Sequence, residues 1–235
     1  MHHPTQNITL LARGTCWAAI DKPPGVLSVP GKGPENALSC ASWARERFPD
    51  ATGPITVHRL DMDTSGILLL ALNAGAHREL SMQFERREID KEYVAIVQGH
   101  LSAERGLIDA PMRADVDRRP YQIIDLDRGS PSQTLYRLLA YEPDRSRVAL
   151  TPLTGRTHQL RVHCAHIGHP IVGDVLYSSN ANDEVRPSTP PLALDGAPHS
   201  PHQPPAERLM LHARRLMFTD PSTGTRVEIC STPPF

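Results

Sequence analysis

The run "GILLLALN" (66–73) is continuously apolar and short, which reads as a strand buried on both faces. Upstream, "WAAI" (17–20) is a second short apolar strand, and the "KPPG" after it is a turn by composition. In "ALSCASWARERFPD", Ala37, Ala41, Ala44 and Phe48 recur at helical spacing, and Pro49 ends the pattern. "AHRELSMQFERRE" stacks Ala76, Leu80 and Phe84 on one helical face. "KEYVAIVQG" is β-rich and stops at Gly99, while "QTLYRLLAYE" and "SRVALTPL" form a hairpin pair around "PDRS". "GRTHQLRVHCAHIGHPIVGD" predicts a helix with Thr157 as N-cap, an apolar stripe of Leu160, Cys164 and Ile167, and Gly168 at C′. Arg161 falls in line with His158 and Ala165 on a different, cationic side. "RLMLHARRLMFTD" alternates, with Leu209, Leu211, Ala213 and Arg215 on one face and Met210, His212, Arg214 and Leu216 on the other. Strands and helices in this irregular order favour an α+β fold with a mixed or antiparallel sheet.

Composition narrows the picture. With 235 residues the chain can bury a sizeable core. Many of its 23 prolines lie in 179–206, "SNANDEVRPSTPPLALDGAPHSPHQPPA", which reads as a long exposed loop. Cys16, Cys40, Cys164 and Cys230 are scattered without a CxxC pair, so neither a disulfide framework nor a structural zinc site is expected, and a reducing cytoplasm is. No apolar run is long enough to span a membrane, and the N-terminus lacks the pattern of a signal peptide. The formal net charge of -1 gives no global support to a nucleic-acid partner, so any such contact must come from local clusters. Arg86 with Arg87, Arg118 with Arg119, and Arg214 with Arg215 are the candidates; each pair also reads as ordinary solvated charge.

The histidines do not form HExxH, no GxxxxGK[ST] phosphate loop is present, and GxSxG is absent. His158 and His163 are five apart and share no helix face, so no metal site is expected. What remains is "HRLDMDTSG" (58–66), a charged cluster set directly against the buried run. Its carboxylates, Asp61 and Asp63, read either as a solvated turn in which Asp63, Thr64 and Ser65 bond to nearby backbone, or as a carboxylate kept ionised by a cation. Arg161 is the candidate cation, because its planar fork suits a carboxylate.

"HRLDMDTSGILLLAL" resembles the catalytic motif of the RluA-type pseudouridine synthases. "IDKPPGVLSVPG" before it, and "KEYVAIVQG", "GRTHQLRVHCAHIGHPIVGDVLY" and "RLMLHARRL" after it, resemble further family blocks in the same order. The resemblance covers most of residues 17–219. It implies the α+β pseudouridine synthase fold, a mixed, mainly antiparallel central sheet flanked by helices and loops. A single catalytic domain over 8–235 is expected, of the compact branch without an S4 RNA-binding domain and with 179–206 as a loop insertion.

The resemblance also implies roles. Asp61 stands at the catalytic aspartate, and Arg161 at the arginine paired with it. Arg59 stands at the arginine that helps displace the target uridine. Tyr93 matches the active-site tyrosine that packs on the uracil and can serve as a base, and Leu211 the apolar residue of the pocket floor. The implied reaction breaks uridine's N-glycosidic bond, turns the uracil and joins its C5 to the ribose, without metal, cofactor or external energy source. Asp61 then acts as nucleophile or base, and the uridine is flipped out of its stack. The implied partner is structured RNA, large-subunit rRNA or a tRNA anticodon stem-loop, bound by a monomer with no membrane association. Two alternatives remain at this point: a non-catalytic RNA-binding protein of the same fold, and a metal hydrolase built on the histidines.

Overall fold

The computed structural model describes residues 7–33, 37–178 and 208–235, so the Pro-rich loop expected over 179–206 lies outside the described residues. These residues form two compact units, one of residues 1–93 with 212–235, the other of 94–211. Their architecture is α+β, as expected.

In the first unit, β1 (Thr9–Arg13), β2 (Trp17–Lys22) and β3 (Ser65–Ala71) pair antiparallel in that order. Strand β10 (Leu211–Thr219) joins β3 in parallel through His212↔Ser65 and Ala213↔Gly66, and β11 (Arg226–Cys230) pairs antiparallel with β10. The pleat sends alternate side chains of β2 and β3 to opposite faces. Ala18, Ile20, Leu68 and Leu70 meet Ala44 of helix α1 (Cys40–Arg47), whereas Ala19, Ile67, Leu69 and Ala71 meet Ala76 and Leu80 of helix α2 (Ala74–Glu85). Every residue of β3 is therefore buried, which explains the unbroken apolar run. Gly66 is required at the β3–β10 junction: its φ is +110°, and a Cβ there would lie 2.4 Å from the Ala213 carbonyl oxygen.

Both helices of this unit are capped as their sequences suggest. Ser39 and Ser42 form a capping box on α1, and Asn73 Oδ1 accepts from Ala76 N–H on α2. Helix α2 ends in a Schellman motif, with Arg87 N–H donating to the Phe84 carbonyl and Glu88 N–H to that of Gln83. The C′ residue is Arg87, at φ +59°, where glycine is usual; a side chain in this region costs about 1–2 kcal/mol.

Strand β4 (Asp90–Gln98) carries the chain into the second unit. There β8 (Gln133–Glu142) and β9 (Arg145–Pro152) form the expected hairpin, tighter than the "PDRS" loop because Glu142 and Arg145 are themselves paired. β5 (Arg105–Asp109) lies antiparallel to β8, and β6 (Met112–Ala114) pairs with β7 (Gln122–Ile124). Helix α3 (Gln159–His166) packs Val162 among Ile108, Ala110, Met112 and Ile124. Its N-cap is His158 in the left-handed region, not Thr157, while Gly168 follows the C-cap at φ +83° as expected. The simple alternation foreseen for β10 fails at its start, where Leu211, His212 and Ala213 are all buried. Among the described residues no helix is long and apolar enough to cross a membrane.

His163 of α3 is fully buried, its ring held between Thr134 Oγ1 at 2.9 Å and the Ala110 carbonyl at 3.1 Å. Burial pushes its pKa down to about 4. The His58 ring is stacked on Phe84, its Nε2 accepting from Leu69 N–H at 2.9 Å, and its pKa is pushed down to about 3 by burial and by the Lys91 charge. Below an unfolded value of about 6.5 the unfolded chain takes up protons that these folded rings refuse, so stability falls as pH falls. Each ring contributes a slope of up to about 1.4 kcal/mol per pH unit, ending near pH 4 for His163 and lower for His58. Urea unfolding followed from pH 7 to pH 4.5 is expected to show this loss, with a shallower slope in His163→Gln.

Candidate functional site

The HRLD segment approaches β3 as an extended chain. Thr56 bridges Leu70, and the Ile55 carbonyl accepts from Ala71 N–H. Where this pairing ends, the His58 ring takes over and accepts the next available backbone donor, Leu69 N–H. His58 thus acts as a backbone substitute that fixes where the following residues leave the sheet.

Those residues are then held from both sides. Leu60 is buried in the α1-side core, and Ser28 Oγ both donates to its carbonyl (2.7 Å) and accepts from its N–H (3.0 Å). Two residues on, the Met62 carbonyl accepts from Lys22 Nζ at 2.7 Å and from Gly25 N–H at 2.9 Å. Lys22 is fully buried, and its ammonium also donates to the carbonyls of Val26 (2.7 Å) and Pro23 (3.0 Å). The "KPPG" turn is therefore a clamp on the HRLD loop. Between its two grips sits Asp61, half-buried, opening a turn closed by Thr64 N–H to the Asp61 carbonyl at 3.2 Å.

Tyr93, at the end of the first unit, packs against the same core as Leu60. Its phenol is pushed above its ordinary pKa by burial and then by the Asp61 charge. A phenol so perturbed remains protonated near neutrality. It can donate a hydrogen bond or stack on a base, and is a weak proton acceptor. Arg59 is exposed, and among the described residues it makes no ion pair. Asp63 occupies the turn as expected, but Ser65 does not. It opens β3, is buried, and its Oγ lies 2.9 Å from His212 Nδ1. His212 Nε2 in turn lies 3.0 Å from Ser231 Oγ, which donates to Asp21 at 2.8 Å. This buried chain ties β2, β3, β10 and the C-terminal residues together just behind the Asp61 turn.

In the second unit Arg161 is buried on α3, not displayed on an open cationic face. Its Nε and Nη2 donate to the two carboxylate oxygens of Asp174 at 2.8 and 2.7 Å, with both side chains almost wholly buried. Asp174 Oδ1 also accepts from Leu176 N–H and Tyr177 N–H. The Tyr177 ring lies 5.2 Å from the guanidinium carbon, and its hydroxyl, 2.7 Å from His158 Nδ1, accepts from Gln122 N–H. Arg161 is thus fixed in direction by a fork on one edge and an aromatic face on another. Leu211 is buried at the start of β10.

Lys22, Asp174 and His212 were missed as site-supporting residues when the sequence was read for chemistry. Each has a sequence signal: an ionisable residue within or closing an apolar stretch, "WAAIDK", "IVGDVL" and "LMLHA".

The family model described as RNA pseudouridylate synthase matches residues 17–166. The dual-specificity RNA pseudouridine synthase RluA of Yersinia pestis is 42% identical over 207 residues, 88% of this chain and 89% of that protein. The enzyme of the same name from Escherichia coli (strain K12) is 42% identical over 206 residues, 87% of this chain and 84% of that protein. The solved structure of human RNA pseudouridylate synthase domain containing 1 superposes with a TM-score of 0.74 and 31% identity, covering 100% of this chain and 87% of that one.

Proposed function

The chain belongs to the RNA pseudouridylate synthase family, and from that premise we propose which residues carry the reaction and which RNA receives it. The protein is an RNA pseudouridine synthase, an isomerase. In its reaction the bond from uracil N1 to ribose C1′ breaks and the bond from C5 to C1′ forms. C5 loses a proton and N1 gains one, so no atom enters or leaves.

In the proposed mechanism Asp61 is the catalytic carboxylate, as nucleophile or base, and Arg161 is the cation that serves it. Tyr93 stacks on the flipped uracil as a neutral phenol, Arg59 occupies the space the uridine vacates, and Leu211 lines the pocket floor. Together these contacts offset the few kcal/mol that unstacking the nucleotide costs. The catalytic domain proposed over 8–235 acts as a monomer in the cytoplasm and draws on side chains alone. The observation that carries this reading is the turn holding Asp61, locked at Leu60 by Ser28 and at Met62 by Lys22, with Tyr93 packed on the core that contains Leu60. A carboxylate that must meet a reacting atom needs such pre-set geometry.

The proposed substrates are large-subunit rRNA, a tRNA anticodon stem-loop, or both, in keeping with the dual specificity in the names of the bacterial relatives. Incubation of the protein with transcripts of each, followed by chemical labelling of pseudouridine, is expected to give product at discrete uridines. Absence of product on both RNAs would overturn the substrate assignment.

A further inference from the structure

The turn after α2 carries Arg87 in the left-handed C′ position, although glycine would fit it without strain. Lys91 follows four residues later, half-buried near the start of β4, so the two cations flank the turn that joins α2 to β4; burial and then the Arg87 charge lower the Lys91 pKa. The His58 ring stacks on Phe84 of α2 with centroids 4.5 Å apart, and exposed Arg59 follows it in the chain. Cations are thus gathered along one edge of the HRLD segment.

Nothing among the described residues neutralises them. The acidic residues flanking Lys91 are committed elsewhere: Asp90 accepts from Arg226 at 2.6 Å, and Glu92 from Arg214 at 3.0 Å. Glu85 and Glu88, the other carboxylates of this turn, form no ion pair with Arg87 or Lys91. Arg226 also donates to the Glu88 carbonyl at 2.9 Å, which pins the backbone of the turn from the β11 side. Two cations therefore flank a turn whose backbone is pinned, one of them at a strained position, and among the described residues neither forms an ion pair. An anion arriving from outside relieves both the repulsion and the desolvation.

We propose that Arg87 and Lys91 form a binding site for a phosphodiester of the substrate RNA, beside the His58–Arg59 segment. This rests on the chain's acting on RNA. The site fixes the RNA backbone next to the nucleotide that leaves the stack and reads no sequence. It also supplies local positive charge to a protein whose formal net charge is -1.

The test measures binding of the full chain to an RNA on which the wild type forms pseudouridine, by anisotropy from 50 to 300 mM salt. Arg87→Gly and Lys91→Met are each expected to weaken binding several-fold at low salt and to lower the slope of log K against log salt by about 0.7 to 1. Arg105→Gln, at an exposed arginine of β5, is expected to leave the slope unchanged. Arg87→Gly is also expected to raise the urea midpoint, because glycine removes the strain. A variant that is more stable and yet binds RNA less tightly separates a binding role from a structural one. Unchanged slope and affinity in Arg87→Gly and Lys91→Met would overturn the site. A wild type that forms no pseudouridine on any RNA tested would instead overturn the underlying reading.

Discussion

Asp61→Asn is expected to abolish pseudouridine formation, lowering the rate by about 10⁴-fold or more, as removal of a reacting group does in other enzymes. The side chain keeps its size and an acceptor oxygen but loses the charge and the nucleophile. The turn has backbone anchors of its own. Its backbone is held by Thr64 N–H on the Asp61 carbonyl, by Ser28 on Leu60 and by Lys22 on Met62. RNA affinity and the unfolding midpoint should therefore stay near wild type. Asp63→Asn, two residues away in the same turn, is the matched comparison; its activity should stay within about twofold, as for surface substitutions generally. Single-turnover assays on labelled RNA read both. Product formed by the Asp61 variant at a comparable rate would remove this residue from the chemistry.

Asp174→Asn is expected to be the most destabilising conservative change in the second unit. It breaks the buried Arg161–Asp174 pair by removing one partner, a change that costs about 3–5 kcal/mol. Asn retains the acceptor that Leu176 and Tyr177 N–H use, so the loss reports the charge pair and not the turn. Adding Arg161→Met removes the other member of the pair, and the double variant should recover part of the lost stability. Its activity should not recover, because the cation proposed to serve Asp61 is gone. Urea unfolding and pseudouridine assays on the three variants separate these effects. A double variant that is both stable and active would make the Arg161–Asp174 pair purely structural.

These two residues also mark how far the sequence could be read. Asp61 and Tyr93 stood out, because a charged motif against an apolar run and a family block each flagged them, and the Asp61 charge adds to burial in raising the Tyr93 pKa. The strands and helices with strong periodicity, β3, α1, α2 and the β8–β9 hairpin, were legible for the same reason. The short strands β5, β6, β7 and β11 carry three to five residues each, too few to show a period. Asp174 was visible only as part of a block, since its role depends on a fork to a residue 13 positions earlier on a helix. Ser65 read as turn chemistry because its partner, His212, lies 147 residues away. Lys22 read as part of a turn, yet its ammonium serves a carbonyl 40 residues on. Polar contacts across such separations leave no local pattern; only the oddity of a polar residue in an apolar stretch hints at them.

The unit that holds Asp61 is discontinuous, built from residues 1–93 and 212–235. Strand β3 gains its parallel neighbour only from His212 and Ala213, and His212 is itself anchored by Ser231. During synthesis on a ribosome, a nascent chain that already carries Asp61, Tyr93, Arg161 and Asp174 still lacks the strand that completes this sheet. The sheet behind the catalytic turn is thus finished last. Truncated or stalled products that contain every reactive side chain but lack β10 are expected to be silent on RNA.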